Sequence, residues 1–266
     1  MAMAARPSAD DPILTARGLA IGWDDVVLQR ELDFEVHRGE IFAILGGSGS
    51  GKSTLLRFLV GLEEPLAGTI DVAGRGHVRL DGELPPFGVM FQAGALFGSM
   101  TVVENVALPL EEHTDLPADA IAAIARSKLR LVGLEAAADK LPNELSGGMK
   151  KRAAIARALA LDPDLVFLDE PSAGLDPITS AELDQLILTL NATLGLTVVL
   201  VSHELESINA IAHRAIVLDK EAATIIAAGP PRELKGSDDA RVSDFFNRRP
   251  SEASMRSVTS SNARGT

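Results

Sequence analysis

The chain has 266 residues, of which 46% are hydrophobic and 23% charged, enough to bury the core of one large α/β domain or two small ones. It has no cysteine, which excludes disulfides, thiolate zinc sites and cysteine nucleophiles and fits a reducing compartment. A formal net charge of −12 excludes a surface built to track nucleic-acid phosphates, so no nucleic-acid partner is expected.

In chain order, residues 1–11 read as a flexible leader. Pro7, Asp10 and Asp11 stand where a secretory signal would carry an apolar block. No apolar run approaches the roughly 18–20 residues of a spanning helix, so a cytoplasmic protein is expected. Stretches 13–38 and 68–80 are β-like and broken by glycine, which suggests an antiparallel layer. Residues 41–45 (Ile-Phe-Ala-Ile-Leu) have no polar alternation and predict a fully buried strand; 165–169, 196–201 and 215–219 predict three more. Helical patterns over 53–61, 147–160, 177–194 and 204–212 alternate with them, the third opened by Asp176 as N-cap and Pro177 in the first turn. This alternation predicts a mainly parallel sheet covered on both faces. Residues 100–145 hold two helical segments, the clearer at 117–132, so a helical subdomain at about 98–160 is expected inside a domain spanning 12–247. Residues 248–266 are Ser/Arg-rich and read as a disordered tail.

Gly46-Gly47-Ser48-Gly49-Ser50-Gly51-Lys52-Ser53 matches G-x-x-x-x-G-K-[ST] between a predicted buried strand and a predicted helix. That placement lets backbone N–H groups converge on the phosphates of a nucleoside triphosphate. Lys52 supplies a point charge to the β- and γ-phosphates, the Ser53 hydroxyl reaches Mg²⁺, and Thr54 completes the nucleotide-binding run. Leu165–Asp169 ends in a carboxylate at the tip of a buried strand, where Asp169 can meet the metal shell. Glu170 follows directly and can polarise an attacking water as general base. Alone, Glu170 would be an ordinary carboxylate at a helix start.

Leu145-Ser146-Gly147-Gly148-Met149 lies upstream of Asp169 and opens the helix at 147, leaving a bare helix N-terminus that suits an anion. With Gln92, Asp176 and His203 in order around it, the chain resembles the ATP-binding cassette (ABC) ATPase family from about residue 13 to 247. The resemblance implies a P-loop ABC cassette: an α/β fold with a mainly parallel core sheet, an antiparallel β layer and an inserted helical subdomain. It implies ATP and Mg²⁺ as ligands and a head-to-tail dimer in which Ser146, Gly147 and Gly148 act on the nucleotide of the second copy. Gln92 is then the Q-loop glutamine, which senses Mg²⁺ and the attacking water. Asp176, in Ser172-Ala173-Gly174-Leu175-Asp176, belongs to the D-loop at the dimer interface, and His203 is the switch histidine on the γ-phosphate. Trp23 stands where the family places an aromatic against adenine; a core tryptophan is the alternative. The remaining histidines, His37, His77, His113 and His213, have no metal-ligand spacing.

Within the family, Phe91-Gln92-Ala93-Gly94-Ala95-Leu96-Phe97, residues 104–114, Met149 and Asp176-Pro177-Ile178-Thr179 resemble the ATPase subunits of phospholipid transporters, the Mla (maintenance of lipid asymmetry) systems and their MCE-protein relatives. The partners implied are a second copy, an integral-membrane permease and an MCE-type lipid-binding protein, with the ATPase peripheral on the cytoplasmic face of the inner membrane. Leu96 and Phe97 are either apolar anchors for the permease or part of the core. Two features depart from that group: residues 68–92 are short and Pro/Gly-rich, without a helical insert, and the tail beyond Pro250 has no counterpart. The alternatives are an ABC importer or exporter for another solute and a cytosolic ABC-type scaffold ATPase.

Overall fold

The computed structural model describes residues 12–24, 26–78, 85–92 and 94–247. The leader (1–11) and tail (248–266) read from the sequence lie outside the described residues. The elements in chain order are β1 (Pro12–Trp23), β2 (Val26–His37), β3 (Ile41–Gly46), α1 (Lys52–Leu59), β4 (Ala67–Val72), β5 (Phe87–Met90), α2 (Val102–His113), α3 (Ala118–Leu131), α4 (Gly147–Ala158), β6 (Leu165–Asp169), α5 (Pro177–Leu194), β7 (Thr197–Val201), α6 (Leu205–Ile211), β8 (Arg214–Asp219), β9 (Thr224–Gly229), α7 (Pro231–Leu234) and α8 (Ala240–Phe246).

Two sheets form the frame. One has three antiparallel strands in the order β2-β1-β4; the other has six in the order β5-β6-β7-β3-β8-β9. In the larger sheet only β9 runs antiparallel. Strands β3, β6 and β7 are buried along their whole length, which is why their sequences show no polar alternation. Their side chains divide between two cores. Ile41, Ala43 and Leu45 of β3 join the core under α2–α6, whereas Phe42 and Ile44 join the one shared with α1 and the antiparallel sheet. Helix α1 lies within that second core, with Leu55, Leu56, Phe58 and Leu59 buried.

The predicted strands and helices are present, with ends shifted by at most two residues, and α5 starts as its sequence indicates. The Asp176 carboxylate accepts from the N–H groups of Ile178 and Thr179 at 3.1 Å each, with Pro177 in the first turn. The β-like stretch 68–80 is shorter than expected. Strand β4 stops at Val72 because the Asp71 carboxylate turns back to accept from the N–H groups of Gly74 and Gly76. Strands β5 and β9 were not anticipated. β5 has only four residues and β9 is half-exposed, so neither carries a long buried run.

Consecutive helices α2, α3 and α4 fill the chain between β5 and β6. Helix α4 presses against β5 so closely that a methyl group on Gly88 would sit 1.9 Å from the Ala158 carbonyl oxygen. Gly88→Ala is therefore expected to cost about 1–3 kcal/mol of stability by overpacking, read as a lower urea midpoint at unchanged slope.

Candidate functional site

The register of the large sheet brings the sequence motifs to one edge. Ile44 and Asp169 both pair with Val201, from opposite sides of β7, so β3, β6 and β7 end at the same height. The loop 46–51 leaves β3 there, Asp169 and Glu170 end β6, and His203 follows β7 by two residues.

The loop itself depends on glycine. Gly49 and Gly51 take φ of +75° and +86°, and Gly51 caps α1 in the left-handed region. At Gly46 a Cβ would meet the Leu218 carbonyl oxygen at 2.4 Å and the Ser50 hydroxyl at 2.5 Å. Gly47 and Ser48 complete the turn, and α1 points its N-terminus at the space above it, with Thr54 in its first turn. Lys52 folds back over this loop and donates to the carbonyls of Gly46 at 2.9 Å and Gly47 at 3.1 Å. Burial lowers its pKa, while the charges of Glu170 and Asp169 act in the opposite direction. An ammonium, free helix N–H groups and a dipole thus converge on one anion-sized position.

The acidic wall stands across from it. The Ser53 hydroxyl donates to Asp169 Oδ1 at 3.1 Å. Burial pushes the Asp169 carboxyl above its ordinary pKa and Glu170's charge adds to the rise, whereas the Ser53 bond and the two lysines, Lys151 and Lys52, oppose it. Glu170 is buried, and its φ of +49° is a left-handed conformation costing about 1–3 kcal/mol for a non-glycine residue. One carboxylate oxygen, Oε1, lies 2.8 Å from His203 Nδ1. The other, Oε2, is buried without a hydrogen-bond partner. His203 itself is more than half exposed, and its Nε2 lies 3.9 Å from Glu204 Oε1.

Other predicted residues lie elsewhere. Ser146 caps α4, its hydroxyl accepting from the Met149 N–H at 3.3 Å. Gly147 and Gly148 face the start of α5: a Cβ on Gly148 would lie 2.4 Å from Thr179 Cγ2, and one on Gly147 would lie 3.3 Å from Leu175 Cδ2. The structure thus joins Ser146–Gly148 to the Asp176 turn, and among the described residues no hydrogen bond links them to the loop 46–53. Trp23 ends β1 and is 45% exposed, so it is not a core tryptophan. Gln92 is exposed in the loop after β5.

Three residues that organise the site were not singled out in the sequence. Gln29 on β2 is fully buried, and its Nε2 donates at 2.9 Å to the carbonyls of both Ser50 and Asp219, tying the phosphate loop to the end of β8. Lys151 on α4 donates to the carbonyls of Gln92 and Glu170. Arg157 on the same helix donates to the carbonyls of Gly94 and Ala95. For Lys151 a signal existed: it falls three residues after Gly148 and four before Ile155, on the helix face that the small and apolar residues turn inward.

A model of the ABC transporter family matches residues 29–173. The chain belongs to the ABC transporter family. It is an ABC-type ATPase cassette that binds nucleotide. The intermembrane phospholipid transport system ATP-binding protein MlaF of Haemophilus influenzae is 42% identical over 239 residues, covering 88% of this chain and 90% of that protein. Its Escherichia coli K12 counterpart is 45% identical over 222 residues, 81% of each. A probable ribonucleotide transport ATP-binding protein, mkl of Mycobacterium leprae, is 40% identical over 232 residues, which are 85% of this chain and 65% of that protein. Among solved structures, the dimeric post-hydrolysis state of the cassette MJ0796 bound to ADP and Pi superposes with a TM-score of 0.72 at 29% identity, over 82% of this chain and 99% of that one. The cassette cbiO1 of Clostridium perfringens, part of the complex cbiONQ, gives 0.77 at 29% identity over 94% of this chain and all of that one.

In this cassette Gln29 is the tie between phosphate loop and β8. Gln29→Leu removes the donor from two carbonyls and is expected to lower stability by about 1–3 kcal/mol. A fluorescent ATP analogue should also bind several-fold more weakly, because the last turn of the loop is no longer held.

Proposed function

We propose that this chain is the ATP-hydrolysing subunit of a phospholipid transporter of the Mla type, acting as a head-to-tail pair on a separate integral-membrane permease. The two MlaF relatives support the cargo, because this chain covers more than four-fifths of each. The mycobacterial relative carries a different cargo in its name and extends well beyond this chain. No described helix is long and apolar enough to cross a membrane; in this reading the permease supplies the path for lipid. The permease would hold the cassettes at the cytoplasmic face of the inner membrane, with an MCE-type lipid-binding protein in the same assembly.

The observation that carries the chemistry is Glu170, with one oxygen held by His203 and the other buried and unpartnered beside the phosphate loop. In this reading Oε2 accepts a proton from a water attacking the γ-phosphate, and His203 holds the carboxylate that does so. Lys52 and the N-terminus of α1 would hold the phosphates, and Trp23 offers an exposed ring to adenine. Mg²⁺ fits the same wall. Ser53 and Asp169 are already in contact, and the carboxylates press each other's charge in a buried setting that a cation would relieve. Among the described residues no cluster of three or more His, Cys, Asp or Glu could hold a metal alone, and a Mg²⁺ bound with nucleotide would take most of its ligands from phosphate and water. When bound, Mg²⁺ would neutralise the charge of the β- and γ-phosphates; Ser53, Asp169 and Gln92 are the groups on this chain that would face it.

Coupling to transport needs ATP to favour a closed pair. Moving a 1:99 equilibrium to 99:1 takes about 5.5 kcal/mol of differential affinity. The γ-phosphate can supply it if it is gripped by Lys52 and His203 of one copy and Ser146–Gly148 of the other, with Asp176 at the seam. The exposure of Ile178 just past Asp176, at 74%, agrees with a face covered by the second copy.

Glu170→Gln is expected to bind MgATP as tightly as the parent, to hydrolyse it at least about a hundredfold more slowly, and to accumulate as a closed dimer. Asp169→Asn should instead weaken the Mg²⁺-dependent part of ATP binding. Sizing chromatography with MgATP beside a phosphate-release assay reads both; a Glu170→Gln chain at near-parental rate would exclude Glu170 as the base.

The permease contact has its own signature. Asn105 is fully buried, and its side chain binds both the N–H and the carbonyl of Phe97, which fixes this backbone while the Phe97 ring stays 52% exposed. Leu96 packs against the core, so of the two candidate anchors only Phe97 is free for a partner. Phe97→Asp should reduce co-purification of the permease severalfold or more and leave ATP binding by the isolated chain unchanged.

A further inference from the structure

Lys151 is buried on α4, and its Nζ donates to the Gln92 carbonyl at 2.7 Å and the Glu170 carbonyl at 2.9 Å. These carbonyls belong to the two residues assigned above to the attacking water. Glu170 is in the left-handed region, a conformation that persists in a non-glycine residue only when its surroundings over-determine it. Its N–H donates to the Val201 carbonyl at 2.8 Å, its carbonyl accepts from Lys151 at 2.9 Å and from the Ala173 N–H at 3.3 Å, and its Oε1 meets His203. Remove Lys151 and the carbonyl keeps only the longer bond from the Ala173 N–H, at 3.3 Å, among the described residues. Burying an ammonium is costly, and burial does lower the Lys151 pKa against the pull of Glu170 and Asp169. A methionine would fill much the same volume without that cost, so what distinguishes lysine here is its donors. Arg157, further along α4, donates to the carbonyls of Gly94 and Ala95 and, among the described residues, makes no hydrogen bond to Glu170.

We infer that Lys151 is a positioning residue for hydrolysis: it fixes the Glu170 backbone and ties it to Gln92 and, through α4, to the Ser146–Gly148 terminus of the same helix. A shift of the Gln92 loop, where the permease contact lies, is thereby transmitted to the carboxylate that orients water. The inference rests on the reading of Glu170 as the base, so the two are tested side by side in the full chain.

Lys151→Met is expected to bind MgATP with a Kd within about twofold of the parent and to lose at least about tenfold in kcat at unchanged KM. Lys151→Arg, which keeps charge and donors, should recover kcat to within a few-fold. In a Glu170→Gln background, Lys151→Met should slow the residual rate no further, because the group it positions is already gone. Parental kcat in Lys151→Met, an equal loss in both backgrounds, or loss of melting temperature and ATP affinity together in both the Met and the Arg chains would each overturn the inference. If Glu170→Gln is inactive while Lys151→Met keeps its rate, the inference alone fails. If Glu170→Gln keeps its rate, the base reading fails and the inference with it.

Discussion

The chemistry of this cassette depends on three parallel strands ending level with one another. β7 lies between β6 and β3, and Val201 is in register with Asp169 on one side and Ile44 on the other. Each strand then releases a different tool: the phosphate loop from β3, the two carboxylates from β6 and His203 beyond β7. A shift of β6 by one residue would exchange the faces of the whole strand, putting Phe167 into the wrong core and Asp169 out of reach of Ser53. The complete burial of all three strands makes such a slip prohibitive, so apolar packing enforces the geometry of a polar site.

The charges around that site are balanced at close quarters. The chain as a whole is acidic, yet it offers phosphate a favourable position, because backbone N–H groups and one lysine are concentrated there. Asp169 and Glu170 are both buried, and the protein cations that counter Asp169 are Lys52 and Lys151. Neither lysine bonds a carboxylate among the described residues; each donates to backbone carbonyls instead. The carboxylate oxygens are therefore left for Ser53, His203 and what binds beside them. A direct ion pair would occupy those oxygens and blunt the site for metal and water.

Helix α4 connects what sequence order keeps apart. Its N-terminus, capped by Ser146, rests through Gly147 and Gly148 on Leu175 and Thr179 beside the Asp176 turn. Its buried face carries Lys151 to Gln92 and Glu170, and Arg157 grips the carbonyls of Gly94 and Ala95, the latter also left-handed. One rigid element thus touches the face proposed for a second copy, the loop beside Phe97 and the backbone of Glu170. Packed helices shift as units, so a push at one of these places has a physical path to the others.

Periodicity and spacing alone determined the buried strands, the helices between them and the phosphate loop, because those signals are local: an apolar run, a cap, a glycine pattern. Asp176 and Pro177 marked the start of α5 for the same reason. The ordered motifs around Ser146, Gln92 and His203 determined the family. What only the tertiary structure decided concerns residues whose partners are far along the chain. Gln29 reads as a polar residue in a strand until Ser50 and Asp219 are seen to close on it. Trp23 and Phe97 could each have been core or surface, since an aromatic looks the same in sequence either way; packing left both exposed. The left-handed turn at Glu170, the bond from His203 to its Oε1 and the Lys151 link to its carbonyl join positions 19 to 33 residues apart. They exist because β6, β7 and α4 pack as they do, and no local pattern encodes that packing.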